Sequence, residues 1–327
     1  MEQGTLNELV LTRSVTKHIR KHNKNLVSGT GVGDDYAGII MQDEVIIWSE
    51  GWGRTPALSW CKAMNNLATS GGKPLGVRLQ LMLPATTEEA MVKNYMKEFN
   101  QFADEEKVQI LGGNTQISEA YLIPTFTVSV VGVVGEQAQM PKKAKEGYQI
   151  VMTKYAGILG SDILVKEKED VLNSRLSKGY IQGGYFGETM YRVDKEASIA
   201  AKLSDNVCYM HDVSYGGVYG ALWQLGVKLG KGMCINHYDI PIRQETIEFC
   251  EIFDINPYML EGTGSLLIVA KDGTEVVKSL QEEGVFACII GAITDTKDRY
   301  VSLGDSVEKR FLAPVKGDEI YKIVSAY

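Results

Sequence analysis

Apolar and polar positions along the first half of the chain switch between a period of two and a period near 3.6. Glu44 to Trp48 (Glu-Val-Ile-Ile-Trp) is a short apolar run, the mark of a buried strand. Thr55 then offers an N-cap and Pro56 a first-turn proline. Ala57, Trp60, Cys61, Met64, Leu67 and Ala68 follow at helical spacing, and Gly71-Gly72 stops that helix. Val77, Leu79, Leu81 and Leu83 alternate with Arg78, Gln80 and Met82, which predicts a strand with one buried face. Thr86 and Glu89 have capping-box spacing ahead of a helix to about Glu106. Val108 to Leu111 and Leu122 to Val134 read as two further strands.

A polar stretch, Pro141 to Gly147, separates two apolar strand candidates, the second being Gln149 to Thr153. Beyond it Val207 to Met210 reads as a strand. A helix follows from about Gly217, with Val218, Ala221, Leu222, Leu225 and Leu229 on one face and Gly230 at its end. Ser265 to Ala270 and Phe286 to Ile293 are strands with a helix between them. Strands and helices interleave in both halves, so the fold class is α/β (α+β). The expected domains are 1–140 and 147–327, and two domains suit a chain of 327 residues.

Composition narrows the function. A hydrophobic content of 44% is that of a globular protein, and the net charge of -7 argues against a nucleic-acid partner held by phosphate contacts. The five cysteines form no C-x-x-C pair. They predict neither a disulfide framework nor a zinc site and favour a reducing cytoplasm, and Cys208, Cys234, Cys250 and Cys288, in apolar surroundings, look like core residues. No apolar run is long enough to span a bilayer, and the start does not read as a signal peptide.

The chemistry lies in short glycine-flanked segments. Gly29, Gly31 and Gly33 form a loop whose amides can approach phosphates, although it is not a P-loop; an ordinary mobile loop is the alternative. Asp34 and Asp35 follow it, and two adjacent acids repel unless solvated or bound to a cation. Asp212 ends a strand just before Gly216-Gly217 and a helix N-terminus, which suits either a phosphate or a capping role. Asn66 falls off the apolar stripe of its helix, and Asn114 follows a diglycine at a strand end. Taken alone, Asn66 and Asn114 each read as a turn or surface residue, with a ligand-facing role as the alternative. His18 and His22, at i,i+4 spacing among lysines and arginines, read as a basic helix face rather than a metal site.

Taken in order, these segments resemble the superfamily of aminoimidazole ribonucleotide synthetase, thiamine-monophosphate kinase, selenophosphate synthetase and the hydrogenase-maturation carbamoyl dehydratase, and most of all the last branch. The matching segments are Gly33-Asp34-Asp35-Tyr36-Ala37, Asn65-Asn66-Leu67-Ala68 with the following Gly-Gly-Lys-Pro, Gly112-Gly113-Asn114-Thr115, Thr153 to Gly157, Met210 to Gly217, and Glu261 to Leu267. The resemblance implies a two-domain fold whose N-terminal domain binds ATP and magnesium and shares a barrel across a homodimer. It implies phosphoryl transfer from ATP to a small acceptor. Asp34, Asp35, Glu50 and Asp212 would hold Mg2+, and Gly29, Gly31, Gly33, Asn66, Asn114, Asp212, Gly216 and Gly217 would line the nucleotide.

The chain also departs from the pattern. Asn66 and Asn114 stand where acids are usual, and Glu50 stands for an Asp, reaching roughly 1.5 Å farther. Magnesium at an ATP site needs one or two protein carboxylates, so nucleotide binding survives these changes. The tail, Ile323 to Tyr327, lacks the cysteine that carries the carbamoyl group in the dehydratase, which speaks against that reaction. Two rival expectations stand beside the phosphotransferase: a nucleotide-binding sensor or assembly protein without turnover, and a thiamine-monophosphate kinase-like activity.

Overall fold

The structure, a computed structural model, describes residues 6, 8–20, 22–29, 31–135, 143–304 and 309–324. The chain divides into two compact units. One comprises residues 22–29 and 35–140; the other comprises 1–21, 30–34 and 141–326. The division after residue 140 falls where the polar stretch begins. The assignment of 1–21 and 30–34 to the C-terminal unit has no counterpart in the periodicity of the sequence.

The N-terminal unit contains β1 (Leu26–Ser28), β2 (Ala37–Met41), β3 (Glu44–Gly53), α2 (Pro56–Ala68), β4 (Lys73–Pro84), α3 (Glu89–Glu106), β5 (Gln109–Ser118) and β6 (Thr125–Gly135); α1 (Glu8–Ser14) belongs to the other unit. Its strands form a six-stranded sheet in the order β1-β2-β3-β6-β4-β5, antiparallel except for the β4/β5 pair. The helices cover one face. Trp60, Met64 and Leu67 of α2 and Phe99 of α3 pack with Ile47, Leu79, Leu81 and Val128 in a single core. Gly51 permits this approach, because a Cβ there would lie 2.2 Å from the Ala63 amide nitrogen and 2.5 Å from the Ser59 carbonyl. Ser49 ties the same strand to the helix by donating to the Ala63 carbonyl at 2.8 Å.

Thr55 caps α2 as expected, accepting from the Leu58 amide at 3.2 Å with Pro56 in the first turn. The capping box at Thr86 and Glu89 does not form. Glu88 occupies the cap position without a side-chain bond, because a turn from Pro84 to Thr87 brings the chain into α3 one residue before Glu89. Two strands run farther than their apolar cores foretell: β3 continues through Glu50 to Gly53, and β5 through Asn114 to Ser118. Ladder pairing to β6 and β4 holds those polar and glycine residues extended.

The C-terminal unit contains β7 (Gln149–Thr153), α4 (Ile158–Glu167), α5 (Glu169–Asn173), α6 (Lys178–Gly183), α7 (Asp194–Lys202), β8 (Val207–Val213), α8 (Gly217–Leu229), β9 (Gly232–Asn236), α9 (Gln244–Ile252), β10 (Ser265–Ala270), α10 (Gly273–Glu282), β11 (Ala287–Thr294), β12 (Arg299–Ser302) and β13 (Lys309–Phe311). Its seven-stranded sheet has the order β13-β12-β9-β11-β7-β10-β8, with only β12 and β9 parallel. Every residue of β8 and β10 is buried. The predicted stripe of α8 packs against the sheet through Val218, Ala221, Leu222 and Leu225. The basic helix face at His18 and His22 is not realised: a short 3-10 turn ends at His18, and His22 lies in the other unit. Cys61, Cys208 and Cys250 are core residues, whereas Cys234 and Cys288 are only half-buried.

Candidate functional site

The predicted site residues fall into one set on each unit. On the N-terminal unit the face of the sheet away from α2 and α3 carries Glu50 and Asn114. Cross-strand register places Glu50, Ser129 and Arg78 in one row, and Trp52, Thr127, Gln80 and Asn114 in the next. The Glu50 carboxylate accepts from the Ser129 hydroxyl at 2.9 Å. Asn114 sits mid-strand on the edge strand β5, not in a turn. Three inter-strand steps of about 4.8 Å and a two-residue offset along the strand put it roughly 16 Å from Glu50, too far for both to ligate one ion. Asn66 on α2 donates its side-chain amide to the backbone carbonyl of Glu50 at 2.9 Å. A carboxylate at this position cannot make that bond, so Asn66 has a local structural reason to depart from the family's acid. Asp35 is half-buried at the start of this unit; burial, reinforced by the Asp35 charge, pushes the neighbouring Tyr36 phenol up to about 12. Gly29 adopts φ +123° against Ala37, where a Cβ would lie 2.5 Å from the alanine side chain.

On the C-terminal unit, Gly31 to Asp34 is docked rather than open. Asp34 accepts from the Gly31 amide at 2.7 Å and forms an ion pair with Lys228 of α8. The Gly33 carbonyl accepts from the Tyr209 hydroxyl at 2.9 Å, and a Cβ on Gly33 would lie 2.8 Å from the Gln224 carbonyl. A cation therefore does sit beside the predicted acid, but it is a lysine ammonium.

At the other end of α8, some 16 Å away along eleven residues of helix, are Asp212, Gly216 and Gly217. Asp212 is buried next to the end of β8. Both glycines have positive φ, and a Cβ on Gly217 would lie 2.6 Å from the Leu260 carbonyl. The Gly216 amide already has an acceptor, the Asp318 carboxyl, at 2.6 Å. Asp318 also accepts from the Ile320 and Glu261 amides at 2.9 and 3.1 Å. Its burial, reinforced by the charge of Glu261, pushes its carboxyl up to about 8. Asp318 carries no signal in the sequence, since it lies outside every glycine-flanked segment.

The Thr153–Gly157 landmark proves structural. Lys154 is buried in an ion pair with Glu196 at 2.6 Å and also donates to the Met190 carbonyl at 3.1 Å. Nearby Asp162 accepts from the Phe186 and Gly187 amides and from the Tyr191 hydroxyl at 2.7, 2.8 and 2.6 Å. Among the described residues no three His, Cys, Asp or Glu side chains converge as a metal cage.

Two matches decide the family. Residues 50–134 match the N-terminal domain of AIR synthase related proteins, and residues 145–304 match the C-terminal domain. The chain belongs to the AIR synthase related family. Within the family it is similar to proteins of the hydrogenase-maturation branch. It is similar to the carbamoyl dehydratase HypE of Rhodobacter capsulatus, 25% identical over 239 residues, 71% of this chain and 67% of the relative. The structure of HypE in a HypE–HypF complex superposes with a TM-score of 0.77 at 17% identity, covering 93% of this chain and 99% of that one. HypE in complex with ATP superposes with a TM-score of 0.70 at 13% identity, covering 96% and 94%. These likenesses establish the AIR synthase fold. Among the described residues, no helix of this AIR synthase related chain is long and apolar enough to cross a membrane.

Proposed function

We propose that this AIR synthase related protein binds ATP and transfers its terminal phosphoryl group to a small acceptor. The observation that carries the reading is the coincidence of family and motif. Both family domains are present, a HypE structure of the same fold holds ATP, and this chain retains Asp34, Asp35, Asp212, Gly216 and Gly217 in the family's segments. Magnesium in this reading arrives with the nucleotide. The hard oxygens of Asp34, Asp35, Glu50 and Asp212 suit the ion chemically but do not form a cage in advance, so the phosphates must supply part of its shell. When bound, the ion would neutralise charge on the transferred group. Calorimetry with ATP and magnesium, followed by phosphate release with a panel of acceptors, tests the two halves separately. Absence of nucleotide binding at about 1 mM ligand, a free energy of only about 4 kcal/mol, sinks the proposal.

A second reading, nucleotide binding without turnover, is favoured by one observation: Lys228 already neutralises Asp34. Binding with no phosphate release across the panel supports it.

The reading includes a homodimer. The uncovered sheet face of the N-terminal unit exposes Trp48 by 40% and Trp52 by 46%, and a second copy of that face is the occupant it fits. Light scattering on the whole chain tests this; a monomer unaffected by Trp48→Arg removes it.

A further inference from the structure

The C-terminal unit holds a cavity of about 410 Å³ that none of the residues assigned above lines. Its volume falls within the range of small-molecule sites. Three half-buried rings form one wall. Tyr219 of α8 and Tyr258 stack with centroids 5.4 Å apart, and His237 lies 4.5 Å from Tyr258. The Tyr219 hydroxyl and the His237 Nδ1 are hydrogen-bonded at 3.0 Å, which fixes both rings. Arg310 of β13, Leu312 just after it and Asn256 also line the cavity.

The charge of this cavity is decided by one residue. Burial and the nearby Arg310 guanidinium hold His237 below its usual range, so the imidazole is neutral at pH 7. Burial pushes the Tyr219 phenol up to about 12, so it stays protonated. Among the described residues no carboxylate lines the cavity, and Arg310 is the one ionised lining residue. An aromatic wall without a cation selects ligand cations; here the Arg310 guanidinium lines the same cavity and rejects them.

We propose that this cavity binds a small aromatic anion, a single ring bearing one carboxylate, with the ring against Tyr219, His237 and Tyr258 and the carboxylate on Arg310. The guanidinium fork matches a carboxylate bidentately, and the rings supply a flat apolar surface. The site does not depend on the ATP reading.

The probe is 5-fluorosalicylate, followed by fluorine NMR on the full chain without nucleotide. Saturable binding is expected, with a dissociation constant below about 1 mM. Arg310 is exposed on a short edge strand, so its substitution leaves the core intact. Arg310→Gln should weaken binding roughly tenfold or more, and Arg310→Lys should restore part of it. Arg78→Gln, on the other unit, should leave the affinity unchanged. 4-Fluorobenzylamine, of similar size and opposite charge, should not bind. The proposal is overturned by no saturable binding at about 5 mM, by an affinity unchanged in Arg310→Gln, or by tighter binding of the amine than of the salicylate.

Discussion

Replacing Lys228 with methionine tests whether a lysine has taken the place of a metal at Asp34. The Asp34 side chain is 8% exposed and that of Lys228 16%. Removing one partner of a fully buried pair leaves an uncompensated charge and costs about 3–5 kcal/mol; partial exposure of the lysine reduces this to about 2–3 kcal/mol. The Gly31 amide still donates to Asp34 and softens the loss. For a protein of this size each kcal/mol moves the melting temperature by about 2–4 °C, so Lys228→Met should melt about 5–10 °C below the parent. Two further measurements make the result specific. The double variant Asp34→Asn/Lys228→Met should recover stability relative to Lys228→Met, because the stranded charge is gone. Magnesium at about 10 mM should stabilise Lys228→Met but not the double variant, since the ion would bind the carboxylate that lysine vacated. If Lys228→Met melts with the parent, or the double variant is no more stable than the single, the ion pair does not hold the Gly31–Asp34 turn.

Other outcomes follow from the same geometry. Asn66→Asp, which restores the family's acid, should destabilise the chain by about 1 kcal/mol without tightening magnesium binding, because it exchanges a donor to the Glu50 carbonyl for a carboxylate facing that oxygen; tighter metal binding in calorimetry would contradict this. Gly51→Ala should cost about 3 kcal/mol in urea unfolding, as its Cβ meets the backbone of α2. The Asp318 carboxyl lies above its unfolded value, so the folded state keeps a proton that the unfolded state has lost. Its contribution is present below about pH 4 and is lost as pH rises toward 8, at up to about 1.4 kcal/mol per unit. Asp318→Asn should flatten that slope in unfolding curves taken between pH 5 and 8; an unchanged slope would place the titration elsewhere.

Periodicity by itself determined the core elements, because burial of one face forces apolar residues to recur at the spacing of a helix or a strand. The α2 and α8 stripes, the caps at Thr55 and Gly230, and the alternation of β4 all follow from local sequence. The ordered glycine and acid segments carried the family and its fold. Where strands ended was not local: Glu50–Gly53 and Gly112–Ser118 are extended because neighbouring strands pair with them, and no window of sequence contains its ladder partner. The partners of the candidate acids were equally hidden. Lys228, far along the chain, neutralises Asp34, and the Asp318 carboxyl occupies the Gly216 amide. Sequence thus specified which residues have the chemistry for a nucleotide site. Only tertiary structure decided which of those groups are already satisfied by the protein, because charge pairing and hydrogen bonding depend on distances that folding alone creates.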